Sequence, residues 1–107
     1  AHITGGGIEG NLRRIIPDGM RAAIDLAKLD PPTVFRIIRE RGGVEDADML
    51  RTFNLGAGLI AVVAPEAVEG VRAHLAAHDC ASAVIGEIVA SDDAAAPKVA
   101  FAGAIGW

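Results

Sequence analysis

The sequence predicts an α/β fold of α+β layers, a small mixed β-sheet with helices packed on one face. Three observations point there. Short apolar runs of strand length alternate with segments whose apolar residues recur at helical spacing, and Gly or Pro separates them. Aromatics make up only 4% of the 107 residues, so the core has to be built from Ala, Val, Ile and Leu, which suits thin helix-on-sheet layers. Apolar residues at 51% and charged residues at 22% are the composition of a globular domain and not of a disordered chain. At this length one core is within reach and two are not.

Taken in order, residues 1–7 read as a loop. Asn11 to Ile16 follows as a short helix, closed by the turn Pro17-Asp18-Gly19. Met20 to Leu26 is predicted as the first strand. Asp30-Pro31-Pro32-Thr33 reads as a helix start: Asp30 caps, and proline is tolerated in a first turn because its missing N–H would be unpaired there anyway. Val34, Phe35, Ile37, Ile38 and Arg41 fall on one side of that helix, with Arg36, Arg39 and Glu40 opposite. Gly42-Gly43 ends it. Glu45 to Leu50 is a further helical turn. Ala57 to Ala64, nearly all apolar, is predicted as a strand buried on both faces. Pro65-Glu66 opens another helix, with Glu66 and Glu69 near its positive end and Val68, Val71 and Leu75 toward the core. Ala83 to Val89 and Lys98 to Ala102 are predicted as two more strands, joined as a hairpin by the polar loop Ser91 to Pro97.

Composition excludes several functions. The formal charge is −4, with three Phe, one Trp and no Tyr. There is no basic stripe for nucleic acid and no stacking platform for single strands. The longest apolar run, Leu59 to Pro65, is far shorter than a membrane span. Cys80 stands alone, so no internal disulfide forms and a reducing cytoplasm is expected.

Thr4-Gly5-Gly6-Gly7 precedes a predicted helix. Consecutive glycines let backbone N–H groups approach an oxyanion, and a helix N-terminus adds partial positive charge, so a phosphate suits the loop. The plainer reading is a flexible stub, since the Lys and spacing of a P-loop are missing. His2, just before the glycines, is either an acid, base or hydrogen-bond donor beside a substrate or a frayed histidine. In Arg51-Thr52-Phe53-Asn54-Leu55-Gly56-Ala57-Gly58, the side chains of Arg51, Thr52 and Asn54 offer hydrogen bonds. Gly56 and Gly58 permit close backbone approach. The alternative is a strand entry in which the glycines admit a packed neighbour and Asn54 caps a turn. His74 and His78 share a helix face, but no further ligand has the spacing of a zinc site, and a solvated helix end explains them. Cys80 has no activating partner and reads as packing or surface. Arg36, Arg39 and Arg41 with Glu40 read as a solvated face.

AHITGGG, NLRRIIP, PTVFRII, MLRTFNLGAGLIAVVAP and VIGEIV follow one another over nearly the whole chain. With these motifs the chain resembles the C-terminal domain of aminoimidazole ribonucleotide synthetase, also called phosphoribosylformylglycinamidine cyclo-ligase. HITGGG and RTFNxGxG are specific together. Asn11 and Arg14 match the helix after the glycines, whereas Gly10 stands where the commoner ENIPR pattern has Glu and Arg13 where it has Pro.

The resemblance implies that residues 1–107 are one C-terminal domain of a larger two-domain enzyme of purine biosynthesis, cut just before the glycine loop and inactive alone. ATP would phosphorylate the formamide oxygen of formylglycinamidine ribonucleotide. An amidine nitrogen would then attack the activated carbon and release phosphate. ATP and its Mg²⁺ would be held mainly by the N-terminal domain, which also builds a homodimer, while the C-terminal domain closes the cleft. On this resemblance Thr4, Gly5, Gly6 and Gly7 would hold a phosphate or the activated intermediate, and His2 would stand beside the reacting amide. Arg51, Thr52 and Asn54 would position substrate or brace the loop, with Gly56 and Gly58 keeping space. The alternatives are another ATP-using synthetase of the same architecture (formylglycinamidine ribonucleotide synthetase, selenophosphate synthetase or thiamine-phosphate kinase type) and a free-standing small-molecule binding domain.

Overall fold

Alternation defines the first strand. In Met20–Asp25 (β1), Ala22 and Ile24 are buried while Arg21, Ala23 and Asp25 are half-buried, the period of two that a strand with one core face requires. In the computed structural model, which describes residues 1–107, Gly86–Ala90 (β2) pairs with β1 antiparallel and Val99–Ala102 (β3) pairs with it parallel. The result is a mixed three-stranded sheet of order β2-β1-β3. The register sets Ala22 opposite Ile88 and Val99, and Ile24 opposite Gly86 and Phe101. One face is therefore apolar, and the other carries Arg21, Glu87, Val89 and alanines.

The sheet departs from expectation in two places. Ser91 to Pro97 does not close a hairpin, because β2 and β3 lie on opposite edges of β1. Lys98 supplies a reason. Its carbonyl accepts the Ala22 N–H at 2.8 Å, and its Nζ donates to the Ile16 carbonyl at 2.8 Å and lies 2.9 Å from the Asp18 carboxylate. These contacts dock the start of β3 beside the Pro17–Gly19 turn. Ala57 to Ala64 is not a buried strand either. With both edges of β1 taken, the segment has no place in the sheet beside β1, and its one strand-like pairing is a bridge between His2 and Leu59. Leu59 is 73% and Val62 50% exposed.

Four α-helices complete the class. Gly7–Leu12 (α1) begins earlier than Asn11 and runs on as a 3-10 turn over Arg13–Ile15. Thr33–Gly42 (α2) is capped at Pro32 without a side-chain bond, so Asp30 does not cap it. Asp46–Thr52 (α3) follows. Pro65–Ala67 is a 3-10 turn leading into Val68–Ala77 (α4).

The faces of α2 also differ from the periodic expectation. Val34, Ile37 and Ile38 are exposed, while Phe35 meets the Phe53 ring at 5.5 Å between centroids. Arg39 turns inward, 2.5 Å from the Asp46 carboxylate, with its guanidinium 5.1 Å from the Trp107 ring centroid. Trp107 Nε1 donates to the same carboxylate at 3.1 Å. A planar cation that finds a carboxylate and an indole face can be half-buried at little cost.

Twelve buried apolar residues form one cluster, with Ile3, Ile8, Leu12, Met49 and Leu55 the largest fully buried. Val68, Val71 and Leu75 of α4 reach only half-burial. With Ile24, Val63 and Ile88 they line an open apolar cleft of about 730 Å³. No helix is long and apolar enough to cross a membrane.

Candidate functional site

The residues before the glycines are held by backbone pairing. Ile3 N–H donates to the Gly58 carbonyl and Ile60 N–H to the Ala1 carbonyl, both at 2.9 Å. This makes His2 and Leu59 a non-hydrogen-bonded antiparallel pair, the kind whose side chains lie closest together. Ile3 turns into the core at 1% exposure, and alternation leaves His2 exposed. A frayed leader does not describe this segment.

The glycine loop closes on itself and on α3. Gly7 N–H donates to the Thr4 carbonyl at 3.1 Å. The Asn11 side chain sits inside the turn. Its Nδ2 donates to the carbonyls of Thr4 at 3.2 Å, Gly5 at 3.3 Å and Gly7 at 2.8 Å, and its Oδ1 accepts from Thr4 Oγ1 at 3.2 Å. Gly7 has φ +66°, and a β-carbon there would overlap the Leu50 carbonyl oxygen. The third glycine is thus required by close packing on α3. At Gly5 a β-carbon would meet nothing within 4 Å.

The second loop leaves the end of α3. Arg51 and Thr52 are exposed in its last turn, and Arg51 pairs with Asp48 on the same helix. Asn54 Oδ1 accepts the Gly56 N–H at 2.9 Å, and its carbonyl accepts the Ala57 N–H at 3.0 Å, so Asn54 does cap a turn. Gly56 has φ +93°, and a β-carbon there would lie 2.6 Å from Pro32 Cδ.

The fold therefore joins two motifs far apart in the chain. Gly7 abuts the backbone of Leu50 and Phe53, and Ile3 bonds to Gly58. His2, Thr4, Gly5 and Gly6 are exposed in the first segment of this junction, Arg51 and Thr52 are exposed at the end of α3 in the second, and Asn54 is half-buried. His74, in the last turn of α4, and His78, just past its end, are both exposed with ring centroids 4.7 Å apart. No group of three or more His, Cys, Asp or Glu side chains comes together to hold a metal. Away from the junction, the Lys98 hydrogen bond and then its charge hold the Asp18 carboxyl below its usual value. Sequence reading matched Asn11 to a motif but missed what it does. The available signal was a poor helix former four residues after Gly7, one helical turn beyond the glycine run.

Residues 1–97 match the family described as "AIR synthase related protein, C-terminal domain". The chain belongs to this family. Among relatives of this AIR synthase C-terminal domain, the phosphoribosylformylglycinamidine cyclo-ligase of Sorangium cellulosum (strain So ce56) is 45% identical over 93 residues, 87% of this chain and 27% of that protein. A Streptomyces fradiae protein provisionally named phosphoribosylformylglycinamidine cyclo-ligase is 44% identical over 88 residues, 82% of this chain and 48% of that protein. The AIR synthase domain thus spans about a quarter to half the length of the relatives it matches.

Proposed function

We propose that this AIR synthase-type domain forms one wall of the active-site cleft of an ATP-dependent cyclo-ligase. The enzyme closes formylglycinamidine ribonucleotide to aminoimidazole ribonucleotide in purine biosynthesis. The observation that carries the reading is the junction of the glycine loop with the Arg51–Gly58 loop, in a family whose relatives are named as cyclo-ligases.

The residues present suit a phosphate. Gly5 and Gly6 are exposed, and their N–H groups make no backbone hydrogen bond. They suit a metal less: with no cluster of carboxylates and imidazoles, we assign no Mg²⁺ ligand to this chain. ATP supplies the phosphoryl group that turns the formamide oxygen into a leaving group, released when the amidine nitrogen closes the ring.

This chain's part is to bind, orient and manage a proton. The Gly5 and Gly6 amides receive phosphate oxygens. The His2 imidazole, exposed at the loop's entry, takes the proton from the attacking nitrogen or stabilises charge beside the amide. Arg51 can exchange Asp48 for an anionic substrate group, because an exposed ion pair contributes only about 0.2–1 kcal/mol. Asn54 and Thr52 brace and line the second loop. The opposite wall, most ATP and Mg²⁺ contacts and the dimer belong to the rest of a cytoplasmic enzyme.

The test is steady-state kinetics on the whole enzyme. His2→Ala should lower kcat about 100-fold or more, the usual size of a general acid–base contribution, with ATP affinity near wild type. Unchanged turnover would return His2 to the surface. Ring closure by the purified 107-residue chain alone would overturn the one-wall reading. Turnover of a different acceptor in place of formylglycinamidine ribonucleotide would move the enzyme to a sister activity.

A further inference from the structure

We infer that Asn11 is the positioning residue of the glycine loop: its carboxamide turns the Gly5 and Gly6 N–H groups outward, toward a bound phosphate. This rests on the phosphate-holding role proposed above and says what makes it possible.

A trans peptide points its C=O and N–H in opposite directions. The carbonyls of Thr4 and Gly5 converge on one atom, Asn11 Nδ2. The amides in the same two peptides, those of Gly5 and Gly6, must then face away from Asn11. Neither is used by the backbone. The next amide, of Gly7, is turned back to the Thr4 carbonyl, so Gly5 and Gly6 are the pair left for an anion.

Asn11 is itself held. It is 4% exposed, so water does not stand in for its partners, and Oδ1 is fixed by the Thr4 hydroxyl. Two Nδ2 hydrogens serve three carbonyls, which requires at least one shared bond. Only a carboxamide combines an acceptor for Thr4 with donors for the carbonyls at this size. Aspartate has the same shape but would set a negative charge against three carbonyl oxygens. The glycines make such an anchor necessary: the freedom that lets their amides approach a phosphate also lets the peptides rotate away.

The experiment is a titration of the ¹⁵N-labelled 107-residue chain with inorganic phosphate, followed by NMR, for wild type and Asn11→Asp. Wild type should show Gly5 and Gly6 amide signals moving with phosphate. Asn11→Asp should weaken that response at least tenfold while β1 and β2 signals stay in place. A folded Asn11→Asp chain that responds like wild type overturns the role of Asn11 alone. A wild-type chain whose Gly5 and Gly6 signals ignore phosphate ends the phosphate-holding reading, and this inference with it. Should Asn11→Asp not fold, hydrogen exchange of the wild-type carboxamides decides. Asn11 and Asn54 are the only two in the chain, and slow Asn11 exchange relative to Asn54 supports the anchor while fast exchange overturns it. In the whole enzyme, Asn11→Asp should lower kcat at least tenfold and leave the KM for ATP near wild type when kcat is referred to the folded fraction measured by circular dichroism, and a wild-type kcat on that basis overturns the role of Asn11.

Discussion

Residues 1–55 with 99–107 and residues 56–98 are two different kinds of structure. Every buried residue lies in the first set and none in the second. Hydropathy would rank them the other way, since Ala57 to Ala64 is the most continuously apolar stretch in the chain. The difference lies in where the backbone finds partners. The first region has α1 against α3 and β1 beside β3, and its sheet takes in one strand of the second region, β2. The rest of the second is an extended segment with one bridge, a helix whose inner face reaches only half-burial, and the open cleft between them. An apolar run is buried only when its backbone groups have somewhere to go. The glycine loop and its neighbour stand at the seam, built on the packed region and joined at Gly58 to the loose one.

The contrast can be broken by substitution, starting where the effect should be largest. Gly7→Ala puts a β-carbon into the Leu50 carbonyl at a left-handed φ, and should cost about 3–5 kcal/mol from strain and overpacking together. Urea unfolding measures it, and a loss below about 1 kcal/mol would mean that the loop and α3 are not packed this way. Met49→Ala, at a residue with 0% exposure, should cost about 2–5 kcal/mol, whereas Val62→Ala should stay within about 0.5 kcal/mol. Equal costs would erase the difference between the regions. Gly70→Ala in α4, where an added β-carbon meets nothing within 4 Å, should raise stability by about 0.5–1 kcal/mol through helix propensity.

The smallest effect is at the exposed Asp18–Lys98 pair and is one of direction. Lys98 lowers the Asp18 carboxyl below its ordinary 3.8. A carboxyl lowered on folding contributes stability that is fully present above the unfolded value and lost as pH falls through the folded one. Asp18→Asn should therefore flatten the stability profile below about pH 4, read from denaturant midpoints across pH. An unchanged acid limb would show that the pair does not form in solution.

Much of this was legible in the residues. The apolar stretch Met20 to Leu26 and the helical spacing after Pro32 and Pro65 located β1, α2 and α4, because those signals are local. Thr4 to Gly7 and Arg51 to Asn54 stood out by residue type and spacing. What they do to one another did not. That Gly7 must be glycine because Leu50 and Phe53 lie against it requires two segments some forty residues apart to meet. The inward turn of Arg39 likewise depends on Asp46 and Trp107.

The sequence by itself determined the helices and the three strands of the sheet, the aromatic-poor core and the two motif-bearing loops, which are written in spacing and composition, and its motifs carried the resemblance to the family. The tertiary structure decided three other things. It put β2 and β3 on either side of β1, left the most apolar stretch outside the sheet, and made Asn11 the centre of the glycine loop. The physical reason is the same in each case. A backbone amide or a buried carboxamide takes whichever partner the fold brings within hydrogen-bond reach, and that choice involves residues distant in the chain.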